Sequence, residues 1–412
     1  MIEPRHYLHR APYVLPMSAD PAQSEIIIDG AVLTENGRIV AVAPFSELHD
    51  RKATLVEHDG RVLLPPLVNC HTHLELSYLA NLAHESGPIA AGGFSGWVRR
   101  LLPERAKPVD PEEVRMAAWH ALAQLYAGGC RAVADIGNDP ASRELGENFK
   151  LRHFFFQEFL GLAAAFTNAN LAVVAELAEE LTCTAHAPYS TDPGLIKQLK
   201  ARAAKSDHLF PIHLAETTAE TEFLASGNGE FLELLAPLGS SDGSFTPPGV
   251  SPVAYLDRLG VLDERTLAVH CTQVGEDDIS LLAARRVPVC LCPGSNRFLG
   301  VGIAPATAIF KAGIKLVLGT DSLASNPRLD MWAEMQQLAE EHPELPPLAI
   351  LAMAGRNGAE VLGLSKEMGA LTPGASASFL AAAVEPGPGD PRETVPAALV
   401  GSGRPAQLEW VE

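Results

Sequence analysis

The sequence predicts an α/β protein whose main domain is a (β/α)8 TIM barrel. Three observations predict it. The chain has 412 residues, a common length for a protein built around such a barrel. Apolar, strand-like segments alternate with alanine- and leucine-rich helical segments. Polar side chains recur where the predicted strands end. Hydrophobic residues make up 47% of the chain and charged residues 20%, which favours a compact globular protein.

The two ends of the chain depart from this alternation. Segment 24–43 places β-branched residues around Asn36-Gly37, a dipeptide typical of tight hairpin turns. Segment 369–385, "GALTPGASASFLAAAVE", contains a Gly/Pro turn and a short apolar run. We therefore expect short strands at both ends, outside the alternating region.

Eight barrel strands can be placed between these ends. Eight parallel strands that close on themselves carry the active site at their C-terminal ends. In chain order the predicted strands are "VLLPPLVNC" (62–70), "RAVADIG" (131–137), "RHFFFQEF" (152–159), "LTCTAHAP" (181–188), "HLFPIHLAE" (208–216), "TLAVHC" (266–271), "VPVCLCP" (287–293) and "KLVLGTD" (315–321).

Segment 217–253 separates the fifth and sixth predicted strands and is rich in Gly, Ser and Pro. This composition predicts a long loop with a short helix, on the face where the strands end. Either a lid or pocket wall, or a solvated excursion, is consistent with the pattern.

The charge and the cysteines limit the partners and the location. A formal net charge of −19 opposes binding to nucleic acids and to anionic membranes, so we expect a small-molecule substrate.

The first 21 residues carry charges and prolines where a signal peptide needs an apolar stretch, which predicts a cytoplasmic protein. The six cysteines lack the CxxC spacing of zinc sites, and we expect buried free thiols.

Four residues form a candidate metal site. His71 and His73 lie two apart after the first predicted strand, and alternate side chains of a strand point to the same side. His213 and Asp321 lie at the ends of the fifth and eighth strands. Imidazole and carboxylate ligands without a thiolate favour zinc, with iron, manganese or cobalt as alternatives. These four ligands leave room for a water molecule, whose pKa a metal lowers towards about 7.

Further polar residues lie around this candidate site. Glu216 follows His213 by three residues, where a carboxylate can shuttle protons beside the metal. His270 ends the sixth strand and is expected to stabilise developing charge, while Asp321 accepts a proton from water. His186, at the end of the fourth strand, is expected to contact the substrate. A single histidine at a strand end is more commonly a hydrogen-bonding residue than a metal ligand. The recurrence of such residues at the ends of several separate strands is what indicates an active site.

Six motifs in order resemble the amidohydrolase superfamily, in the branch that contains ATZ/TRZ-type chlorohydrolases and nucleoside or nucleobase deaminases. They are "PPLVNCHTHLE", "HAPYS", "HLAET", "VHC", "CPGSNRFLGVGIAP" and "LGTDSLASN". The resemblance that they carry extends over most of the chain. The resemblance implies a divalent metal bound by His71, His73, His213 and Asp321, with Glu216 as the acid/base.

The same resemblance implies a domain organisation and a metal count. Members commonly carry a small β-sandwich made from both termini, here 1–62 and 366–412, with the catalytic barrel at 63–365. Binuclear members bridge two metals with a carboxylated lysine after the fourth strand, and "LTCTAHAPYS" contains no lysine, so one metal is implied. Relatives are often dimers, which makes a homodimer the implied assembly.

The substrate is suggested by a narrower resemblance. Relatives that deaminate S-adenosylhomocysteine place an acidic residue that contacts ribose before a tryptophan, whereas this chain has Gly96 before Trp97. "HTHLELS" followed by "FSGWV" is more similar to aminodeoxyfutalosine deaminases. Such a substrate carries a benzoate, so an arginine is expected in the pocket.

The candidate arginines are Arg297, Arg99 and Arg143. Trp97 and Asn296 are expected to line the same pocket.

The sequence therefore predicts a metal-dependent hydrolytic deaminase of an amino-substituted nitrogen heterocycle. One alternative is a hydrolase with another leaving group, such as chloride from a triazine or a cyclic amide. The other is a catalytically silent binding protein of the same fold, although such proteins typically lose metal ligands.

Overall fold

A computed structural model describes residues 6–20, 26–86, 92–139, 144–146, 149–235, 243 and 245–412. The chain divides into two compact units. The first comprises Met1–Asn69, Gln124–Ala132 and Asp330–Glu412, and the second comprises Cys70–Ala123 and Val133–Leu329. Arg143, one of the candidate arginines, lies outside the described residues.

The strands are β1 (His6–Val14), β2 (Ile27–Glu35), β3 (Arg38–Pro44), β4 (Thr54–Glu57), β5 (Arg61–Leu64), β6 (Leu67–Thr72), β7 (Cys130–Gly137), β8 (Arg152–Phe159), β9 (Cys183–Ala185), β10 (Phe210–Leu214), β11 (Thr266–His270), β12 (Val289–Leu291), β13 (Leu316–Leu318), β14 (Phe379–Ala383) and β15 (Leu408–Val411).

The helices are α1 (Phe45–Leu48), α2 (Asn81–Ser86), α3 (Gly93–Arg105), α4 (Pro111–Ala127), α5 (Ala164–Glu176), α6 (Pro193–Lys205), α7 (Thr218–Ser226), α8 (Glu230–Leu235), α9 (Pro252–Leu259), α10 (Glu276–Ala284), α11 (Pro293–Leu299), α12 (Ala306–Lys311), α13 (Met331–Glu341), α14 (Pro347–Ala354), α15 (Arg356–Val361) and α16 (Pro391–Gly401), with a 3-10 helix at Leu74–Leu79. No helix among the described residues is long and apolar enough to cross a membrane.

Strands from both ends of the chain share one seven-stranded sheet. Its order is β15-β14-β5-β1-β2-β3, and β4 pairs with β1. The predicted hairpin is confirmed, because β2 and β3 are antiparallel and Glu35 pairs with Arg38. The two residues between them, Asn36 and Gly37, have φ values of 50° and 77°, as a type I′ turn requires.

His9 and His58 form a pair in the first unit that makes stability depend on pH. His9 Nδ1 lies 3.2 Å from His58 Nε2. Burial, with a smaller contribution from His58, lowers the pKa of His9 to about 4. The unfolded chain takes up this proton near pH 6.5, and the folded protein takes it up only near pH 4. The stability that neutral His9 contributes is therefore complete above pH 6.5 and is lost as the pH falls towards 4.

When the pH falls from 8 to 5, we expect the His9 side chain to reduce the free energy of unfolding by about 2 kcal/mol. A His9→Gln variant should show a weaker pH dependence, because it has no proton to take up at this position. Urea midpoints at both pH values provide the measurement. Equal pH dependence in the variant and the original protein would contradict the linkage.

Two four-stranded sheets contain seven of the eight strands predicted for the barrel and the C-terminal part of the first. Their orders are β6-β7-β8-β9 and β10-β11-β12-β13. β8 and β9 are parallel, and so are the strands from β10 to β13. The amide of His213 donates to the carbonyl of His186 at 3.0 Å, and the amide of Thr320 donates to the carbonyl of His71 at 3.0 Å. These bonds connect the ends of the two sheets.

The first predicted strand, 62–70, is two strands in the structure. β5 belongs to the seven-stranded sheet, whereas β6 pairs with β7. Pro65 and Pro66 lie between them, and a proline cannot donate a hydrogen bond to a sheet ladder. The prolines therefore end one strand before the next begins.

Segment 217–253 contains more helix than predicted. It includes α7 and α8 before a part that lies outside the described residues, 236–242 and 244. The six cysteines are buried free thiols, as predicted.

Candidate active site

Four side chains from three parts of the chain converge at the ends of β6, β10 and β13. His73 Nε2 lies 3.2 Å from His213 Nε2. Asp321 Oδ1 lies 3.6 Å from His71 Nε2 and 3.7 Å from His73 Nε2. Two nitrogen ligands of a tetrahedral zinc ion are about 3.3 Å apart, given bond lengths of about 2.0–2.1 Å. The donor types and their spacing therefore fit one divalent metal ion.

The three imidazoles are held in the neutral form that binds metals. Burial lowers the pKa of His73 to about 3 and moves the pKa of His213 well below its usual range. Burial also lowers the pKa of His71. Neutral rings keep a nitrogen lone pair available for a metal.

Contacts behind the ligands fix their orientation. His213 Nδ1 donates to the carbonyl of His186 at 2.8 Å, which directs Nε2 towards His73. Asp321 Oδ1 accepts from the amide of Ser322 at 2.8 Å, and its Oδ2 accepts from the hydroxyl of Ser325 at 2.9 Å. The hydroxyl of Ser295 also donates to Asp321 Oδ2, at 2.5 Å.

Gly319 allows the end of β13 to pass close to His71. A Cβ atom at Gly319 would lie 2.7 Å from the Cβ of His71 and 2.9 Å from the sulfur of Cys290. Because these distances are shorter than real Cβ contacts, a larger residue would displace His71.

Glu216 and His270 lie beside the ligand cluster. Glu216 Oε1 is 3.6 Å from His270 Nε2. His270 Nδ1 donates to Asn296 Oδ1 at 2.9 Å, which leaves Nε2 directed towards Glu216. Burial raises the pKa of Glu216 well above its usual range, so this carboxyl can carry a proton near neutral pH. The pair can donate and accept protons at one position of the site.

The backbone around these residues is strained. Ala215, His270, Cys271 and Asp321 have φ values of 50°, 74°, 50° and 57°, a region that L-residues rarely adopt. Such strain concentrates at functional sites, where surrounding contacts hold it.

One contact that holds the strained segment comes from Glu220, which the sequence analysis did not include. Its carboxylate accepts from the amides of Ala215 at 3.1 Å and Glu216 at 2.8 Å. Thr217 caps α7 by accepting from the amide of Glu220 at 3.0 Å. The T-x-x-E spacing of Thr217 and Glu220 is a capping-box signature, so this residue could have been found from the sequence.

A Glu220→Leu variant is expected to lose about 3 kcal/mol of stability, because two buried amides lose their acceptor. Glu220→Gln retains an acceptor oxygen and should be affected less. The thermal midpoint of unfolding measures this, with Glu222→Leu on the exposed side of α7 as the control. A Glu220→Leu protein as stable as that control would show that these bonds contribute little.

A cavity of about 170 Å³ opens onto the ligand cluster. One part of it is lined by His73, Glu216 and His270. An apolar wall is formed by side chains that include Phe94, Trp97, Leu101, Leu234, Leu235 and Leu299. Leu234 and Leu235 belong to α8, so segment 217–253 contributes a pocket wall. The site can hold a small molecule with an apolar part and a few polar groups.

The structure brings some of the predicted substrate-binding residues to this cavity and not others. His186 lines it, and so does Trp97, whose indole nitrogen donates to the carbonyl of Ala324 at 2.8 Å. Asn296 is buried against His270 and is not part of the lining. Arg297 and Arg99 are exposed and do not line the cavity either.

A polar wall that the sequence analysis missed contains an arginine. Arg105 Nη2 donates to Glu75 Oε1 and to Asn138 Oδ1, each at 2.7 Å. Asn138 Nδ2 in turn donates to the carbonyl of Glu158 at 3.0 Å, and all four residues line the cavity. Glu75 lies two residues after His73, and this position beside the two-histidine motif is a signal that the sequence displays. Arg105 ends α3 with no local signal that marks it.

Comparisons with known proteins identify the family of the chain. A model of the amidohydrolase family matches residues 62–407. The 5-methylthioadenosine/S-adenosylhomocysteine deaminase of Pelotomaculum thermopropionicum is 30% identical over 376 residues, covering 85% of this chain and 79% of the relative.

Two solved structures are also similar. The aminofutalosine deaminase of Helicobacter pylori, in complex with methylthio-coformycin, has a TM-score of 0.80 at 21% identity. The superposition covers 98% of this chain and 97% of the Helicobacter pylori chain. An adenosine deaminase from Xanthomonas campestris with bound zinc has a TM-score of 0.73 at 26% identity. The superposition covers 92% of this chain and 84% of the Xanthomonas campestris chain. The family match spans most of the sequence, and the chain therefore belongs to the amidohydrolase family of hydrolases.

Proposed function

We propose that the protein is a metal-dependent hydrolytic deaminase of a nucleoside-like substrate. It exchanges an exocyclic amine on a nitrogen heterocycle for oxygen and releases ammonia. The observation that carries this proposal is Glu216, a buried carboxyl beside both His270 and the ligand cluster. A leaving amine needs protons, and the buried Glu216 carboxyl supports a role in supplying them. The deaminase names of similar proteins support the same reaction.

The proposed metal ligands are His71, His73, His213 and Asp321, and the proposed metal is one zinc ion. The zinc in the Xanthomonas campestris relative and the absence of a thiolate in the ligand cluster favour zinc. When bound, the ion supplies the Lewis acidity that makes water nucleophilic near neutral pH.

The remaining chemistry is assigned to protein side chains. Glu216 donates its proton to the ring nitrogen, and the adjacent carbon becomes electrophilic enough for water to add. Asp321 accepts a proton from that water. Asp321 then passes that proton to the amine, which leaves as ammonia. Glu216 takes up the remaining hydroxyl proton as the carbonyl forms, which restores its protonated state, while His270 stabilises the charge that develops beside Glu216.

The proposed fold is a (β/α)8 barrel at 63–365 and a composite β-sandwich from 1–62 and 366–412. The bonds between the ends of the two four-stranded sheets support closure of the barrel. The pairing of β14 with β5 supports a terminal domain that both ends of the chain build.

The proposed substrates include aminodeoxyfutalosine and 5′-substituted adenosines. His186 and Trp97 are proposed to contact the substrate, and Asn296 is proposed to orient His270. Arg105, which lines the cavity, is better placed than Arg297 to approach an acidic substituent.

The test is ammonia release by the zinc-loaded protein. The panel contains aminodeoxyfutalosine, adenosine, S-adenosylhomocysteine, guanine, cytosine and aminotriazines, with chloride release from chlorotriazines measured in parallel. We expect ammonia from at least one nucleoside, and none after the metal is removed by a chelator. Chloride release without ammonia release would contradict the proposal and favour the chlorohydrolase alternative.

A further inference from the structure

Asp135, in β7, is a completely buried carboxylate that the proposed reaction does not use. It does not line the cavity. Its Oδ1 accepts a hydrogen bond from the amide of Leu74 at 2.9 Å. Leu74 directly follows His73, one of the proposed metal ligands. Because the burial of a charge costs free energy, the hydrogen bonds of this carboxylate must compensate for it.

His153, in β8, makes the second hydrogen bond to Asp135. Its Nε2 lies 2.9 Å from Asp135 Oδ2, and the two side chains are 3% and 1% exposed. A carboxylate oxygen only accepts hydrogen bonds, so Nε2 is the donor. The other ring nitrogen, Nδ1, has no hydrogen-bond partner among the described residues. Asp135 is therefore fixed at both of its oxygens, one by His153 and one by Leu74.

The Leu74 amide is the point at which Asp135 acts on His73. The direction of this amide depends on the ψ angle of His73, because ψ is the rotation about the bond that joins the Cα of His73 to its carbonyl carbon. His73 has a φ of −126° and a ψ of 85°, outside the regular helical and strand regions. Asp135 thus holds the backbone of His73 in a conformation that neither a helix nor a strand maintains.

The next residue of β7 holds the ring of the same ligand. The backbone of Ile136 forms a hydrogen bond with the His73 imidazole. His73 is therefore restrained at its backbone and at its ring, and its Nε2 lies 3.2 Å from His213 Nε2. Metal–ligand distances vary by only about 0.2 Å, so a small shift of one ligand weakens metal binding.

The two segments joined by Asp135 also have other connections. β6 pairs with β7, and Glu75 Oε2 accepts from the amides of Asn138 and Asp139, each at 2.8 Å. Loss of the Asp135 carboxylate should therefore leave the segments together and release the backbone of His73. This separates a role in positioning His73 from a role in holding the fold.

We propose that Asp135 and His153 are positioning residues for His73, and that this buried pair sets the affinity of the site for its metal ion. Neither residue lines the cavity or belongs to the proposed ligand set. The inference rests on the proposed function, in which His73 binds the metal, and it adds two residues that act on the metal through that ligand.

The experiment measures zinc affinity by competition with a chromophoric chelator. Asp135→Ala removes both hydrogen bonds and should weaken zinc binding about tenfold or more, a typical effect of removing a group that orients a ligand. Asp135→Asn keeps an oxygen for the Leu74 amide and should lose less. His153→Leu leaves Asp135 Oδ2 unpaired and should also weaken binding, whereas His153→Gln can still donate and should recover most of the affinity.

Cobalt substitution provides a second readout, because the visible spectrum of bound Co²⁺ depends on the geometry of its ligands. Asp135→Ala and His153→Leu should change this spectrum. His153→Gln should retain the spectrum of the original protein.

The matched control is Asp278→Ala. Asp278 is also a buried carboxylate, and it accepts from the hydroxyl of Ser251 and from the amide of Gly275 at 3.3 Å. It supports α10, which carries no proposed ligand. Asp278→Ala should lower the thermal midpoint of unfolding of the metal-free protein and leave zinc affinity and the cobalt spectrum unchanged.

The outcomes separate this inference from the proposed function. Unchanged zinc affinity in Asp135→Ala would overturn the inference and leave the function intact. An equal loss of affinity in Asp278→Ala would also overturn it, because zinc binding would then follow stability alone. If Asp135→Ala does not fold, the two His153 variants decide, and equal affinity in both would overturn the pair. Tight zinc binding by the original protein without ammonia from any substrate would overturn the proposed function alone.

Discussion

Replacement of Glu216 by glutamine is expected to lower kcat by at least about a hundredfold and to leave the zinc content unchanged. Glutamine has nearly the same shape but cannot donate a proton to the ring nitrogen or pass one to the leaving amine. Glu216 is not among the four proposed ligands, so the metal should still bind. Steady-state ammonia release and metal analysis of the purified variant measure both effects.

The matched control is Glu222→Gln, which removes an exposed carboxylate from α7. It should retain full activity. If Glu216→Gln retained most of the original kcat, the acid/base assignment would be wrong. If it lost its zinc together with its activity, Glu216 would have to be assigned to the metal site.

Asp321→Asn is expected to abolish measurable turnover and to lower the zinc content at least about tenfold. The carboxylate is the one negatively charged group among the four proposed ligands, and it is also the proposed acceptor of the water's proton. Asparagine fills the same space, and its carbonyl can still accept from Ser322. The loss would therefore come from charge and basicity rather than from a collapsed loop.

Ser325→Ala provides a graded comparison. Its hydroxyl donates to Asp321 Oδ2 without reaching the proposed ligand atom, Oδ1. We expect a smaller loss of metal affinity than in Asp321→Asn. An Asp321→Asn protein with unchanged zinc content would contradict the proposed ligand set.

The proposed ligands could be predicted from the sequence because each lies at or just beyond the end of a buried apolar strand. β10 and β11 are buried along their whole length, and their sequences run directly into His213 and His270. His71 and His73 added a second local signal, since their spacing alone places two imidazoles on one side of a strand. The ends of strands and the short spacings between residues can both be recognised from the sequence alone.

The substrate side of the cavity could not be predicted in the same way. Arg105 lies at the end of α3, whose mixture of apolar and charged residues is typical of a helix on a protein surface. Glu158 follows three consecutive phenylalanines in β8, and these indicate a buried strand rather than a binding site. Their positions along one cavity depend on how separate segments of the chain pack, which no sequence spacing encodes. Arg297, one of the candidate arginines, lies within the motif "CPGSNRFLGVGIAP", but it is exposed on α11 while Asn296 and Phe298 are buried.

The close approach of Gly319 to His71 also limits the order in which the protein can fold. The Thr72 hydroxyl bonds the carbonyl of Asp321 across a sequence separation of 249 residues. Contacts between such distant segments form slowly, because the intervening chain must first be ordered. The complete set of four ligands therefore exists only after the first and last of the eight strands have met. A metal ion held by the four proposed ligands would therefore be captured late in folding and would stabilise the folded protein.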